Sequence, residues 1–204
     1  MENLKHIELA KDIILKFKQD LESLSYGSRI SGIPSGFESI DKITSGWQSS
    51  DLIIIASQAS IGKSAFVLSM VRNIIIDSKI PVIVFSPEMT QQQIVQRLIC
   101  AETGIGLNKL RTGKLEKHEW EILSIKTKSL EKAPLYIDDS PSLSIDELCI
   151  RTREMVLEKD VKIIFIDNIH LMLAGNKGNG DITREQEISI ISRRLKSLAK
   201  ELNI

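Results

Sequence analysis

The residues Ser57-Gln58-Ala59-Ser60-Ile61-Gly62-Lys63-Ser64 follow the spacing G-x-x-x-x-G-K-[ST], except that Ser57 stands where the first glycine belongs. Such a run suits the cradling of phosphates. Backbone N–H groups of residues 60–64 can wrap an anion at a helix N-terminus, where the aligned peptide dipoles add roughly half a positive charge. Lys63 then reaches the β- and γ-phosphates of a nucleotide, and the Ser64 hydroxyl holds Mg²⁺. A second carboxylate is needed to support that cation through its water shell, and Ile163-Ile164-Phe165-Ile166-Asp167 offers one at the end of an apolar run. By itself Asp167 is also an ordinary strand-terminal turn residue. Hydrolysis further needs a group that orients or deprotonates water. Many ATPases with this loop carry Glu directly after the Asp, whereas here Asn168 follows, so the base must come from elsewhere. Glu88, in Ser86-Pro87-Glu88-Met89 just past another apolar run, is the candidate. Its alternative role is to complement the dipole of the next helix.

These groups need a scaffold that brings strand ends together. Residues 51–56, 81–85, 134–137 and 161–166 are Ile/Val-rich runs of strand length without polar alternation, the pattern of parallel strands buried on both faces. Helical stretches lie near 63–77, 90–103, 116–130 and 144–158, so the order is β, α, β, α, α, β, α, β. A final amphipathic helix, 183–202, carries Ile188, Ile191, Leu195, Leu198 and Leu202; a helix of this kind normally returns to another strand, and the expectation is a chain that stops within its domain. At the other end Ile7, Ala10, Ile14, Phe17, Leu21 and Leu24 form a narrow apolar stripe on a charged helix, followed by a polar, glycine-containing stretch at 26–32. That stripe docks either on its own domain or on a neighbouring subunit. The expected organisation is a helix and linker over 1–30 and an α/β domain over 31–204.

The chain has 204 residues, 42% hydrophobic and 26% charged, which excludes a disordered or fibrous protein. Lys+Arg and Asp+Glu are equal at 27 each, so a nucleic acid would have to be met by a local patch or by charges converging from several subunits. No apolar run approaches the roughly 20 residues of a membrane span, and the N-terminus lacks a secretory signal pattern. Cys100 and Cys149 are far apart in sequence and lack metal-ligand spacing, so they read as buried, reduced thiols of an intracellular protein.

With the motifs in place, the sequence resembles the ATPase domain of the DnaB-type replicative DNA helicases, of the RecA-like P-loop class. The resemblance rests on SGIPSGF at 31–37, the loop at 57–64, FSPEM at 85–89, LRTG at 110–113, PLYIDD at 134–139 and ISRRLKSLAKEL at 191–202. It implies a RecA-like core with a mostly parallel sheet flanked by helices, preceded by a linker helix. That family commonly lacks the first loop glycine, which accommodates Ser57. The resemblance makes Glu88 the catalytic glutamate and Arg97 a γ-phosphate contact. His170 stands where the family usually has a Gln that senses the γ-phosphate; a structural histidine is equally compatible. Lys177, with Arg184 beyond it, lies in the loop that the family directs towards single-stranded DNA. The linker helix implies self-association into a hexameric ring.

The function so implied is ATP hydrolysis, with Mg²⁺, driving translocation on single-stranded DNA and duplex unwinding during replication. The family's N-terminal helical domain has no room in this chain, so primase interaction is not expected of it. Its later strands, second DNA loop and trans arginine finger follow the segment that carries the resemblance, and such a finger contributes about 10³–10⁵ in rate. The alternative is therefore an incomplete nucleotide-binding fragment that regulates or caps helicase rings. A third reading, a related RecA-like recombination or signalling ATPase, fits the SPEM and SRRLKSLAKEL segments less well. The expected location is the cytoplasm, at the bacterial nucleoid, and the same family also works inside organelles.

Overall fold

Val82 to Phe85 are four consecutive apolar residues, all buried, and they form the central strand of the computed structural model, which describes residues 9–26, 30–58, 60–175 and 183–204. This strand, β1 (Val82–Phe85), pairs in parallel with β2 (Leu135–Asp138) on one side and β3 (Ile163–Ile166) on the other. Val82 lies opposite Leu135 and Ile163, and Phe85 opposite Asp138 and Ile166, so the three strands end level.

Side chains alternate across a strand, which divides the core into two. Val82 and Val84 pack with Leu68, Val71, Ile74, Ile94 and Leu98. Ile83 and Phe85 face the other way, onto Leu148, Val161, Met172, Ile191 and Leu195. The helices supply these partners. In chain order they are α1 (Ala10–Tyr26), α2 (Glu38–Thr44), α3 (Lys63–Asn73), α4 (Gln91–Thr103), α5 (Leu107–Thr112), α6 (Lys117–Glu131), α7 (Ile145–Lys159) and α8 (Arg184–Leu202). Helices α3 and α4 cover one sheet face and α7 and α8 the other, as a parallel sheet requires. Their starts are written in sequence: Thr90/Gln93, Ser144/Glu147 and Thr183/Gln186 each close a reciprocal capping box at the head of α4, α7 and α8. Among the described residues no helix is long and apolar enough to cross a membrane.

Two expectations need correction. The helix expected over 63–77 is α-helical only to Asn73 and ends in a π-helical turn, Ile74–Ser78, and the short helices α2 and α5 were not anticipated. The apolar run 51–56 forms no strand: it stands across a cavity of about 360 Å³ from residues 163–168 of the β3 edge, with Ile53 41% and Ile54 66% exposed. A ladder requires a neighbour about 4.8 Å away, and this run faces the cavity instead. Its composition reports what it can pair with, not that a partner is adjacent. The expected linker falls partly on residues 27–29, outside the described residues, as do Ile7 and the side chain of Leu24.

Candidate functional site

The carboxyl ends of β1 and β3 meet, and the ladder runs on past both. Asp167 N–H donates to the Phe85 carbonyl at 3.0 Å, while Ser86 N–H donates to the Asp138 carbonyl at 2.8 Å. Asp167 is thereby set beside the end of β1. There the chain bends, because the buried Ser86 hydroxyl accepts the Met89 N–H at 3.1 Å, and the bend turns out Glu88 as an exposed side chain.

The loop before α3 brings in the cation. Ser60 and Gly62 both have positive φ, +64° and +105°. A Cβ on Gly62 would meet nothing within 4 Å, so the glycine serves the left-handed backbone and not a tight space. Gly62 caps α3 without a side-chain hydrogen bond, leaving the first N–H groups of that helix open to an anion. Lys63, the first helical residue, places Nζ 3.1 Å from Asp167 Oδ1. This is an ion-pair contact without hydrogen-bond alignment, so Asp167 Oδ1, on a side chain only 5% exposed, has no hydrogen-bond donor. The carboxylate is buried, ionically balanced by Lys63 and open to a further partner. Mg²⁺ takes oxygen ligands and needs only one or two from protein, so the Ser64 hydroxyl and the Asp167 carboxylate fit it.

Ser57, Lys63, Asp167, Asn168 and His170 line one cavity. Glu88 joins them through Asn168, whose Nδ2 donates to Glu88 Oε2 at 2.6 Å. Sequence reasoning passed over Asn168 because it is not a Glu; the signal for it is the meeting of two strand ends, which no local motif encodes. Gln58, Ser60 and Ile61 continue the loop as exposed residues, and Ala59 lies outside the described residues. Arg97 is not brought into this cavity. It lines a separate hollow of about 270 Å³ with Ala65, Leu68, Ser69 and Cys100 between α3 and α4. His170 is exposed, and its backbone N–H donates to Asn168 Oδ1 at 3.1 Å. Arg184 is engaged with its own chain: it pairs with Glu187 and donates to the carbonyls of His170 at 2.6 Å and Met172 at 3.1 Å. Its guanidinium anchors the turn Ile169–Leu171. Lys177 lies outside the described residues.

Comparison with known proteins places these features in context. A family model described as the DnaB-like helicase C terminal domain matches residues 32–204. The replicative DNA helicase DnaB of Geobacillus stearothermophilus is 41% identical over 195 residues, 95% of this chain and 42% of that protein. The replicative DNA helicase DnaC of Bacillus subtilis is 37% identical over 203 residues, 99% of this chain and 44% of that protein. This chain thus spans less than half the length of these relatives. Among solved structures, a DnaB-like replicative helicase superposes with a TM-score of 0.80 at 26% identity, covering 97% of this chain and 47% of that one. A separately solved ATPase domain superposes with a TM-score of 0.87 at 27% identity, covering 97% of this chain and 69% of that one.

Proposed function

The chain belongs to the DnaB-like helicase C-terminal domain family, and from that premise we propose that it is the ATP-hydrolysing motor of a replicative DNA helicase. The observation that carries this reading is the convergence of Lys63, Asp167 and Glu88 at the ends of two adjacent parallel strands. ATP is the substrate. Its phosphates lie along residues 57–64 at the open N-terminus of α3, and Lys63 turns from Asp167 towards the γ-phosphate. Ser64 and Asp167 would hold Mg²⁺, which would supply charge neutralisation on the phosphate oxygens.

Glu88 accepts a proton from the attacking water as that oxygen bonds to the γ-phosphorus. The bond from phosphorus to the bridging oxygen breaks, and ADP leaves. Arg97, which lines the hollow beside Ala65 and Ser69 of α3, is the γ-phosphate contact, and His170 reports that phosphate to the loop it precedes. Lys177 follows the backbone of single-stranded DNA in a hexameric ring, with Arg184 fixing the base of its loop. The ring closes when α1 docks on the next subunit. Work takes place in the cytoplasm, at the nucleoid.

The test is Glu88→Gln in the full-length gene product, which removes the proton acceptor and keeps size and shape. ATP binding is expected within about twofold of wild type, with hydrolysis lowered at least 10²-fold, the range of general-base contributions. Unwinding of a forked duplex should fall with it. Hydrolysis at more than a tenth of wild type would remove Glu88 from this role. Retained hydrolysis by the wild type without strand separation would instead favour a ring-capping or regulatory component.

A further inference from the structure

Asn168 occupies the position directly after Asp167, and both ends of its carboxamide are engaged. The Oδ1 end accepts the His170 N–H at 3.1 Å, opening the turn Ile169–Leu171. A backbone N–H can only donate, so the oxygen must lie at that end, and the NH₂ end is left facing Glu88. Nδ2 lies 2.6 Å from Glu88 Oε2, a short contact of the charge-assisted kind. Glu88 has three rotatable bonds and is exposed. Asn168 is the hydrogen-bond partner found for its carboxylate among the described residues.

We infer that Asn168 is the positioning residue of Glu88, holding Oε2 so that Oε1 is presented to the attacking water. This rests on the reading of Glu88 as the base. The arrangement has a mechanical content. Asp167, which supports the cation, and Asn168, which aims the base, are consecutive residues leaving β3, so one strand end sets both groups relative to the nucleotide. The Asn168 amide is itself immobilised by a backbone donor, which makes it a fixed reference for an otherwise free side chain.

The experiment compares Asn168→Asp and Asn168→Ala with Glu88→Gln in the full-length gene product, using ATP with Mg²⁺. Asn168→Asp is close to isosteric and keeps the oxygen that accepts the His170 N–H, but it replaces the donor to Glu88 with a second carboxylate that repels it, whereas Asn168→Ala removes the donor without adding a charge. Asn168→Asp therefore separates aiming of Glu88 from integrity of the turn, which thermal melting checks independently should Asn168→Ala fail to fold. The expected result for Asn168→Asp and for Asn168→Ala alike is a fall in kcat of about 10- to 10²-fold, as a displaced reacting group gives. A fall in the Asp variant alone would assign the effect to charge repulsion and overturn the inference. KM for ATP, and affinity for a fluorescent ATP analogue, should stay within about twofold. A wild-type kcat, or a loss of turnover matched by an equal loss of nucleotide affinity, would overturn the inference. If Glu88→Gln still hydrolyses ATP, the reading of Glu88 as base fails, and the inference with it. If Glu88→Gln is inactive while Asn168→Asp turns over normally, only the role of Asn168 falls.

Discussion

Lys63 and Asp167 neutralise one another at a point where the Asp167 side chain is only 5% exposed and that of Lys63 28%. A buried carboxylate without its cation is costly, since burial limits the hydration that could replace the lost charge. Lys63→Met should therefore lower folding stability by about 1–3 kcal/mol, measured by denaturant unfolding, besides abolishing tight nucleotide binding. In Asp167→Asn the buried group is neutral, so the same loss of the ion pair should cost less. A larger loss for Asp167→Asn would show that the unpaired Asp167 carboxylate is not the group that suffers. Gly62 presents the complementary case. Its φ of +105° is closed to residues with a Cβ although space is open, so Gly62→Ala should distort the loop and weaken ATP binding more than it weakens the core. At this scale the sequence was informative wherever chemistry depends on contiguous residues. The loop at 57–64 and Asp167 are legible by spacing, while the bond from Asn168 to Glu88 joins residues 80 apart and depends on strand register.

Register is a property of elements, and there the legibility is uneven for a physical reason. Val82 to Phe85 read as a doubly buried strand and are one, because helices cover both faces. Residues 51–56 read in the same way and stand beside a cavity instead. Hydrogen exchange separates the two: amides of 82–85 should exchange only with global unfolding, and those of 52–56 by local opening many times faster. Equal protection would mean that 51–56 is paired in solution. The junction of β2 with α7 gives a pH signature. Burial acts to raise the Asp138 carboxyl, but hydrogen bonds from Ser140 and Arg151, with the Arg151 charge, outweigh it and hold Asp138 below its ordinary 3.8. The folded state thus keeps this group ionised after the unfolded chain has taken up a proton. Its contribution is complete above the ordinary carboxylate range and is lost as pH falls through the lowered value. The stability difference between wild type and Asp138→Asn should be constant near neutrality and shrink below about pH 4, followed by denaturant titration. A difference that grows on acidification would reverse the sign.

At the scale of the whole molecule the unmet requirement is cover for α1. Ile13, Ile14, Phe17 and Leu21 are 52%, 53%, 59% and 49% exposed, and Ile14, Phe17 and Leu21 recur at helical spacing on one side of a 17-residue helix. A helix of that length is marginal in water unless its apolar face is buried, and among the described residues nothing buries it. With equal numbers of acidic and basic residues, the chain has no net repulsion to keep copies apart. In the ring proposed above, the face is covered by the adjacent subunit. A carboxylate in the middle of such a contact would be desolvated without a partner, so Ile14→Asp with Phe17→Asp should break assembly while leaving the two-faced core untouched. Sedimentation of the full-length gene product should shift from a ring to smaller species, and DNA-stimulated hydrolysis should fall with it. In the site proposed above, Lys63, Ser64 and Asp167 all come from one chain, so affinity for ATP should persist in the dissociated subunits. If sedimentation is unchanged, α1 is covered by its own chain and the ring is held elsewhere; if ATP affinity disappears with assembly, the nucleotide site itself is shared between neighbours.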